Sequence, residues 1–129
     1  MKTLVHFETP TGEWAVPIER VQEVRLASGI TPLPAARPGF AGLLRRGDEV
    51  LPVLSLLGEG SGNVLILDGA GERFGLLADT AIGVLRVEEE AITPPPPGQE
   101  DPMVSGVVRA DAGRMILLLD ADELGKAVR

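Results

Sequence analysis

An internal repeat constrains this chain more than any other feature. Trp14-Ala15-Val16-Pro17-Ile18-Glu19 matches Phe74-Gly75-Leu76-Leu77-Ala78-Asp79 at an offset of 60. Ile30-Thr31-Pro32-Leu33-Pro34 matches Ile92-Thr93-Pro94-Pro95-Pro96 at an offset of 62. Phe40-Ala41-Gly42-Leu43-Leu44-Arg45 matches Val104-Ser105-Gly106-Val107-Val108-Arg109 at an offset of 64. The matches keep their order while the offset rises slowly, which describes two related units rather than chance likeness. A lone unit of about 60 residues is marginal, because too little of its surface is buried. The two units are therefore expected to share an interface, with the groove at their seam as the natural binding surface. With three Phe, one Trp and no Tyr in the chain, that seam is expected to be mostly aliphatic.

Turn-forming residues then set the secondary structure. Sixteen Gly and eleven Pro separate short apolar runs, which excludes long helices and predicts short strands joined by turns. Strands are expected at 4–8, 13–18, 40–45, 49–57, 64–67, 73–78, 82–87, 103–109 and 114–119. Pro17 lacks an N–H, so its strand is placed at an edge or given a bulge. Residues 30–34 and 94–97 must be extended, because proline disfavours helix at the residue before it. Arg46-Gly47-Asp48 and Asp68-Gly69 read as hairpin turns, and Asp120 as the N-cap of a short closing helix, 121–128. Gly58-Glu59-Gly60-Ser61-Gly62 reads as a linker, dividing the chain into approximate lobes 1–57 and 63–129, with exchange of strands between them allowed.

The chemical inventory is small. Without cysteine there are no disulfides, thiolate metal sites or thiol nucleophiles. One histidine, His6, excludes a two-histidine metal site within one chain, and it reads as a surface or rim residue. No serine lies in a Gly-x-Ser-x-Gly elbow. The Gly58–Gly62 run joins two strands, whereas a dinucleotide fingerprint opens a helix. The 120–125 stretch has Leu124 where a calcium loop needs a ligand. No enzyme, metal or cofactor is therefore expected. Nineteen acids against twelve bases give a net charge of −7, which argues against nucleic acid. Residues 1–62 carry seven acids and six bases, and residues 63–129 twelve and six, a polarity suited to oriented protein contact. No secretory signal or membrane span is visible, so a cytoplasmic protein without direct membrane insertion is expected.

In order, Val21-Gln22-Glu23-Val24-Arg25, Ile30–Pro34, Phe40–Leu44 and Val50-Leu51-Pro52-Val53-Leu54-Ser55-Leu56 resemble a CheW-like domain, the coupling module of bacterial chemosensory arrays. Gly75-Leu76-Leu77-Ala78-Asp79, Ile82-Gly83-Val84-Leu85 and Met103–Val107 extend the resemblance over residues 3–125. It implies one all-β CheW-like domain, 1–129. The expected fold is two pseudo-repeated five-stranded SH3-like β-barrels packed across a hydrophobic seam, with a short C-terminal helix. It also implies a non-enzymatic adaptor, without cofactor, coupling a receptor's cytoplasmic hairpin tip to the regulatory domain of a histidine kinase. The other reading of the residues is a small-ligand sensor using the inter-lobe groove as a pocket. The family's Asn-Leu-Arg-Gly turn is Arg45-Arg46-Gly47-Asp48 here, and its aspartate after Pro-Val-Ile is Ser55.

The repeat selects Ile18, Val21, Ala81 and Ile82 as walls of a receptor-binding groove. The resemblance adds Glu23, partnered by Arg46 or, failing that, by Arg25. It further implies a kinase-binding face on the loops that hold Pro38, Phe40, Gly42, Arg45, Arg46 and Gly47.

Overall fold

The computed structural model describes residues 1–58 and 62–129, so Glu59, Gly60 and Ser61 of the expected linker lie outside the described residues. The strands in chain order are β1 (Lys2–Thr9), β2 (Gly12–Pro17), β3 (Val21–Leu26), β4 (Ile30–Thr31), β5 (Phe40–Arg46) and β6 (Glu49–Leu54). They continue as β7 (Asn63–Gly69), β8 (Glu72–Ala78), β9 (Thr80–Val87), β10 (Ile92–Thr93), β11 (Val104–Arg109) and β12 (Met115–Leu119), followed by helix α1 (Ala121–Ala127). Asp120 caps α1, its carboxylate accepting from the amides of Asp122 and Glu123.

Two sheets form, with orders β9-β1-β2-β12-β11-β10 (barrel A) and β3-β7-β8-β6-β5-β4 (barrel B). Written this way they coincide strand for strand under the sequence repeat: β1 with β7, β2 with β8, β9 with β3, and so on. In both barrels the junction between halves is parallel, β12 to β2 and β6 to β8, and the other pairings are antiparallel. Each barrel has five longer strands and one of two residues, β4 or β10. Those two stop where Pro32 and Pro94 remove the next backbone donor.

The barrels are not the two halves of the chain. β1 and β2, from the first repeat, complete the barrel built by residues 80–119. β7 and β8, from the second repeat, complete the barrel of residues 21–54. Each repeat therefore lends its first hairpin to the other, which explains why neither unit closes alone. The short turn Ile18–Arg20 and the single residue Asp79 carry the chain across.

Alternation along the strands supplies three apolar clusters. Leu4, Ala15, Val108, Ile116 and Leu118 fill barrel A; Leu44, Leu51, Val53, Val64, Ile66 and Leu77 fill barrel B. The largest cluster lies between the barrels and draws on β1, β2, β6, β7, β8, β12 and α1. It contains Phe7, Trp14 and Phe74, with Phe40 packed against it. The seam is mostly aliphatic, as expected, and all four aromatics gather in it. Aromatic side chains bury the most area per residue, so a chain with few of them gains most by placing them at its one shared interface.

Three local expectations change. β2 is an interior strand, but β12 pairs only with residues 13–15, so Pro17 lies beyond the ladder that would need its N–H. Asp68 and Gly69 stay in β7, and the turn falls on Ala70-Gly71, with Ala70 at φ 53°. Gly69 is kept flat because the α1 backbone lies on it: a Cβ there would collide with the Ala121 carbonyl. The strand expected over 49–57 ends at Leu54, and Leu57 turns into the seam.

His6 is buried rather than at a surface. Its Nε2 lies 3.0 Å from Glu13 Oε1, and Glu13 Oε2 lies 3.2 Å from Arg114 Nε. A buried imidazole needs such a partner, and Glu13 supplies it from the neighbouring strand.

Candidate functional site

The groove residues sit where the chain crosses between barrels. Ile18 opens the crossing turn and is 39% exposed. Val21 begins β3 opposite Leu67 and packs against the shared core. Ala81 stands opposite Phe7 in β9, the repeat position of Val21. Ile82 is the extra residue of a β9 bulge, 47% exposed, and its counterpart Gln22 is the extra residue of the β3 bulge. Bulges turn these strands at the crossing. Val21 and Ala81 are therefore equivalent flanks of one core, reached through Leu67 and Phe7, both fully buried.

β3 and β9 each pair with a single neighbour and end their sheets. Val24 and Val84, again 60 residues apart, point outward from these edges, Val84 at 61% exposed. Sequence reasoning passed over both. The signal was the repeat itself, which keeps an apolar residue at an exposed position of each unit. Exposed apolar residues on a free strand edge are a binding liability unless a partner covers them.

Glu23 is exposed on β3, with Oε1 3.6 Å from Arg46 Nη1. Arg46, not Arg25, is its partner. Arg46 also donates to Gln22 at 3.0 Å and Glu49 at 2.8 Å. Glu49 takes a second bond from Arg73, which reaches Asp68, and Asp68 accepts from Gln22. A closed polar ring thus covers the outside of barrel B. Hydrogen bonds from Arg46 and then Arg73 hold the Glu49 carboxyl below the usual range.

The six residues of the expected kinase face lie at different places on barrel B. Arg45 and Gly47 are exposed at the β5–β6 turn, and Pro38 is exposed on the loop before β5. Arg46 is committed to the polar ring. Phe40 lies at the opposite end of β5, half-buried against the seam, with Arg37 Cζ 4.6 Å above its ring. Gly42 is buried at a bulge with φ 146°, and a Cβ would strike the Thr31 carbonyl. The β5 bulge turns that end of the strand inward, so Phe40 and Gly42 lie apart from the exposed turn.

Helix α1 fastens the arrangement. Asp122 binds Arg20 through both oxygens, at 2.9 and 3.0 Å, and accepts from the Ala70 amide at 2.8 Å. The Ala70 bond first, and Arg20 second, hold its carboxyl below the usual range. The crossing turn, the β7–β8 hairpin and the helix are thereby joined at one carboxylate. Among the described residues no group of three or more ionisable ligands is placed to hold a metal, and no helix is long and apolar enough to cross a membrane.

Two barrels related by a repeat, an apolar seam between them and exposed edge strands define the architecture. The family model of the CheW-like domain matches residues 3–129. The chain belongs to the CheW-like domain family. Such domains are adaptors and scaffolds of chemotaxis. The chain is 36% identical to protein FrzA of Myxococcus xanthus over 126 residues, covering 88% of this chain and 79% of that protein. Its fold matches the crystal structure of the scaffolding protein TtCheW from Thermoanaerobacter tengcongensis with a TM-score of 0.86. That match covers 95% of this chain and 86% of the other at 25% identity. The CheW-like fold is thus shared with a solved scaffold over nearly the whole chain.

Proposed function

We propose that this chain is a non-enzymatic coupling adaptor of a chemosensory array. It joins the cytoplasmic hairpin tip of a methyl-accepting type of receptor to the regulatory domain of a histidine kinase, in the cytoplasm beneath a receptor array. The observation that carries this reading is membership of the CheW-like family over residues 3–129 combined with the crossing surface at Ile18, Val21, Ala81 and Ile82. That surface is apolar, is flanked by free strand edges, and is set on the shared core. A receptor helix with apolar residues at i, i+3 and i+4 fits such a groove. Glu23, held by Arg46, supplies a fixed polar rim. For the kinase, Pro38, Arg45 and Gly47 remain available at separate loops of barrel B, and Arg45 is the exposed cation among them.

Binding of a purified receptor hairpin and a kinase regulatory domain to separate variants tests the assignment. Val21→Glu places a charge against the groove and is expected to weaken receptor binding by about 1–3 kcal/mol. Arg45→Glu should slow kinase association at low salt and leave the receptor affinity unchanged. A folded Val21→Glu protein with undiminished receptor affinity contradicts the groove. Equal kinase association rates for Arg45→Glu and its parent contradict the hairpin contact.

A further inference from the structure

At one departure from the repeat a cleft opens. Arg37-Pro38-Gly39-Phe40 in barrel B corresponds to Asp101-Pro102-Met103-Val104 in barrel A, and the backbones agree. Phe40 N donates to Arg37 O at 3.2 Å, and Val104 N to Asp101 O at 2.9 Å. Ser55 N donates to Gly39 O at 2.7 Å, and Asp120 N to Met103 O at 2.8 Å. A bulge follows both, at Phe40/Gly42 and at Val104/Gly106.

The side chains differ. In barrel B the Phe40 ring packs against the shared core beneath the Arg37 guanidinium. In barrel A the smaller Val104 packs against the same core, and beside it lies a cleft of about 410 Å³. Trp14, Val107 and Leu117 line it with Val104, and Pro94–Pro96 form one wall. Gln99, Asp101, Arg109 and Met115 also line it. Arg109 is exposed and without an ion-pair partner among the described residues. The cleft lies toward the β10–β11 end of its sheet, opposite β9, and belongs to neither surface assigned above.

We infer that this cleft receives one aromatic side chain carried on a basic segment of a partner protein. The ring would take the place that Phe40 fills in the twin barrel, on Trp14 and Leu117 and against the proline wall. Arg109, on the cleft's lining, would supply a cation beside the ring, as Arg37 does for Phe40 from a different position. Charge selects the flanking residues. Asp101 stands where barrel B has Arg37, with Glu100 beside it. Barrel A, residues 1–17 and 80–129, carries eleven acids and six bases, against six and five in residues 21–78. Prolines hold the wall extended before the partner arrives, so little ordering cost attends binding.

Trp14 is the only tryptophan, so its fluorescence reports the cleft directly. The probes are three capped tripeptide amides, Lys-Phe-Lys, Lys-Ala-Lys and Glu-Phe-Glu, titrated to millimolar concentration against the whole chain. Lys-Phe-Lys is expected to give a saturable change in Trp14 emission, Lys-Ala-Lys none, and Glu-Phe-Glu binding weaker by about threefold or more. Val104→Phe restores the twin's packing and should abolish the response. If that variant does not fold, Asp101→Lys decides, since it should reverse the order of the two phenylalanine peptides. Absence of any saturable change, or equal binding of Lys-Ala-Lys, overturns the proposal. So does an unchanged order in Asp101→Lys or retained binding in folded Val104→Phe. Tighter binding of Glu-Phe-Glu to the parent chain overturns it too, in favour of an acidic aromatic ligand held by Arg109.

Discussion

Barrels A and B share strand order, a parallel junction and a bulged fifth strand, yet they fill equivalent positions with different chemistry. Ile66 is fully buried in barrel B, and its counterpart in barrel A is His6, tied to Glu13. Phe40 fills the flank of barrel B, where barrel A has Val104 and a cleft. The backbone tolerates both versions because each difference is compensated locally. The imidazole gains a carboxylate from the next strand, and an open cleft instead of a sealed void lies beside Val104. The comparison teaches that the repeat specifies the scaffold, while departures from it mark positions released from packing duty.

Exchanging the first pair should give the largest effect. Ile66→His buries an imidazole whose diagonal neighbour is Arg73, the counterpart of Glu13. With a cation in place of an acceptor, the variant is expected to lose about 3 kcal/mol in chemical denaturation. The reverse change, His6→Ile, removes one member of a pair whose other member, Glu13, keeps Arg114. It should cost under about 1 kcal/mol. Equal losses for the two variants would contradict the local compensation by Glu13.

The bulge glycines give the next effect. Gly42→Ala forces a Cβ onto the Thr31 carbonyl at a φ that side chains rarely adopt, and about 2–3 kcal/mol is expected. Gly106→Ala meets chiefly the Ile92 side chain, at an ordinary φ, and should cost about 1 kcal/mol. Thermal unfolding of the two variants side by side checks the order.

The smallest effect concerns acid. The Asp122 and Glu49 carboxyls are held low by partners present only in the folded chain. Their contribution is complete above the unfolded carboxylate range and is lost as pH falls through their lowered folded values. Asp122→Asn should therefore flatten the acid limb of the stability profile and lower stability at neutral pH. An unchanged acid limb would remove the Arg20–Asp122 tie from the account.

The fold was legible because the repeat and the breakers agree. Matching residues 60–64 apart placed equivalent strands, and proline placed the short ones. The exchange of hairpins between halves was harder to read, since alternation reveals that a strand has a buried face but not which barrel receives it. The burial of His6 was hidden because its partner, Glu13, is chosen by strand register. The turn at Ala70-Gly71 was misplaced because Gly69 serves a helix 52 residues later, a long-range contact with no local mark. Within the candidate site, the Glu23–Arg46 pair followed from the family resemblance, and the places of the crossing residues followed from the repeat. The inward setting of Phe40 and Gly42 was not legible, because a bulge, invisible in alternation, turns that end of the strand.

The central claim is that one small chain holds two partners at separate surfaces. Calorimetric titration of the kinase regulatory domain into this chain, first alone and then saturated with a receptor hairpin, tests it most directly. The account predicts one-to-one binding with the same affinity in both titrations, and in Val21→Glu a retained kinase affinity with receptor binding weakened. Absence of kinase binding, or its displacement by the receptor hairpin, would contradict the account.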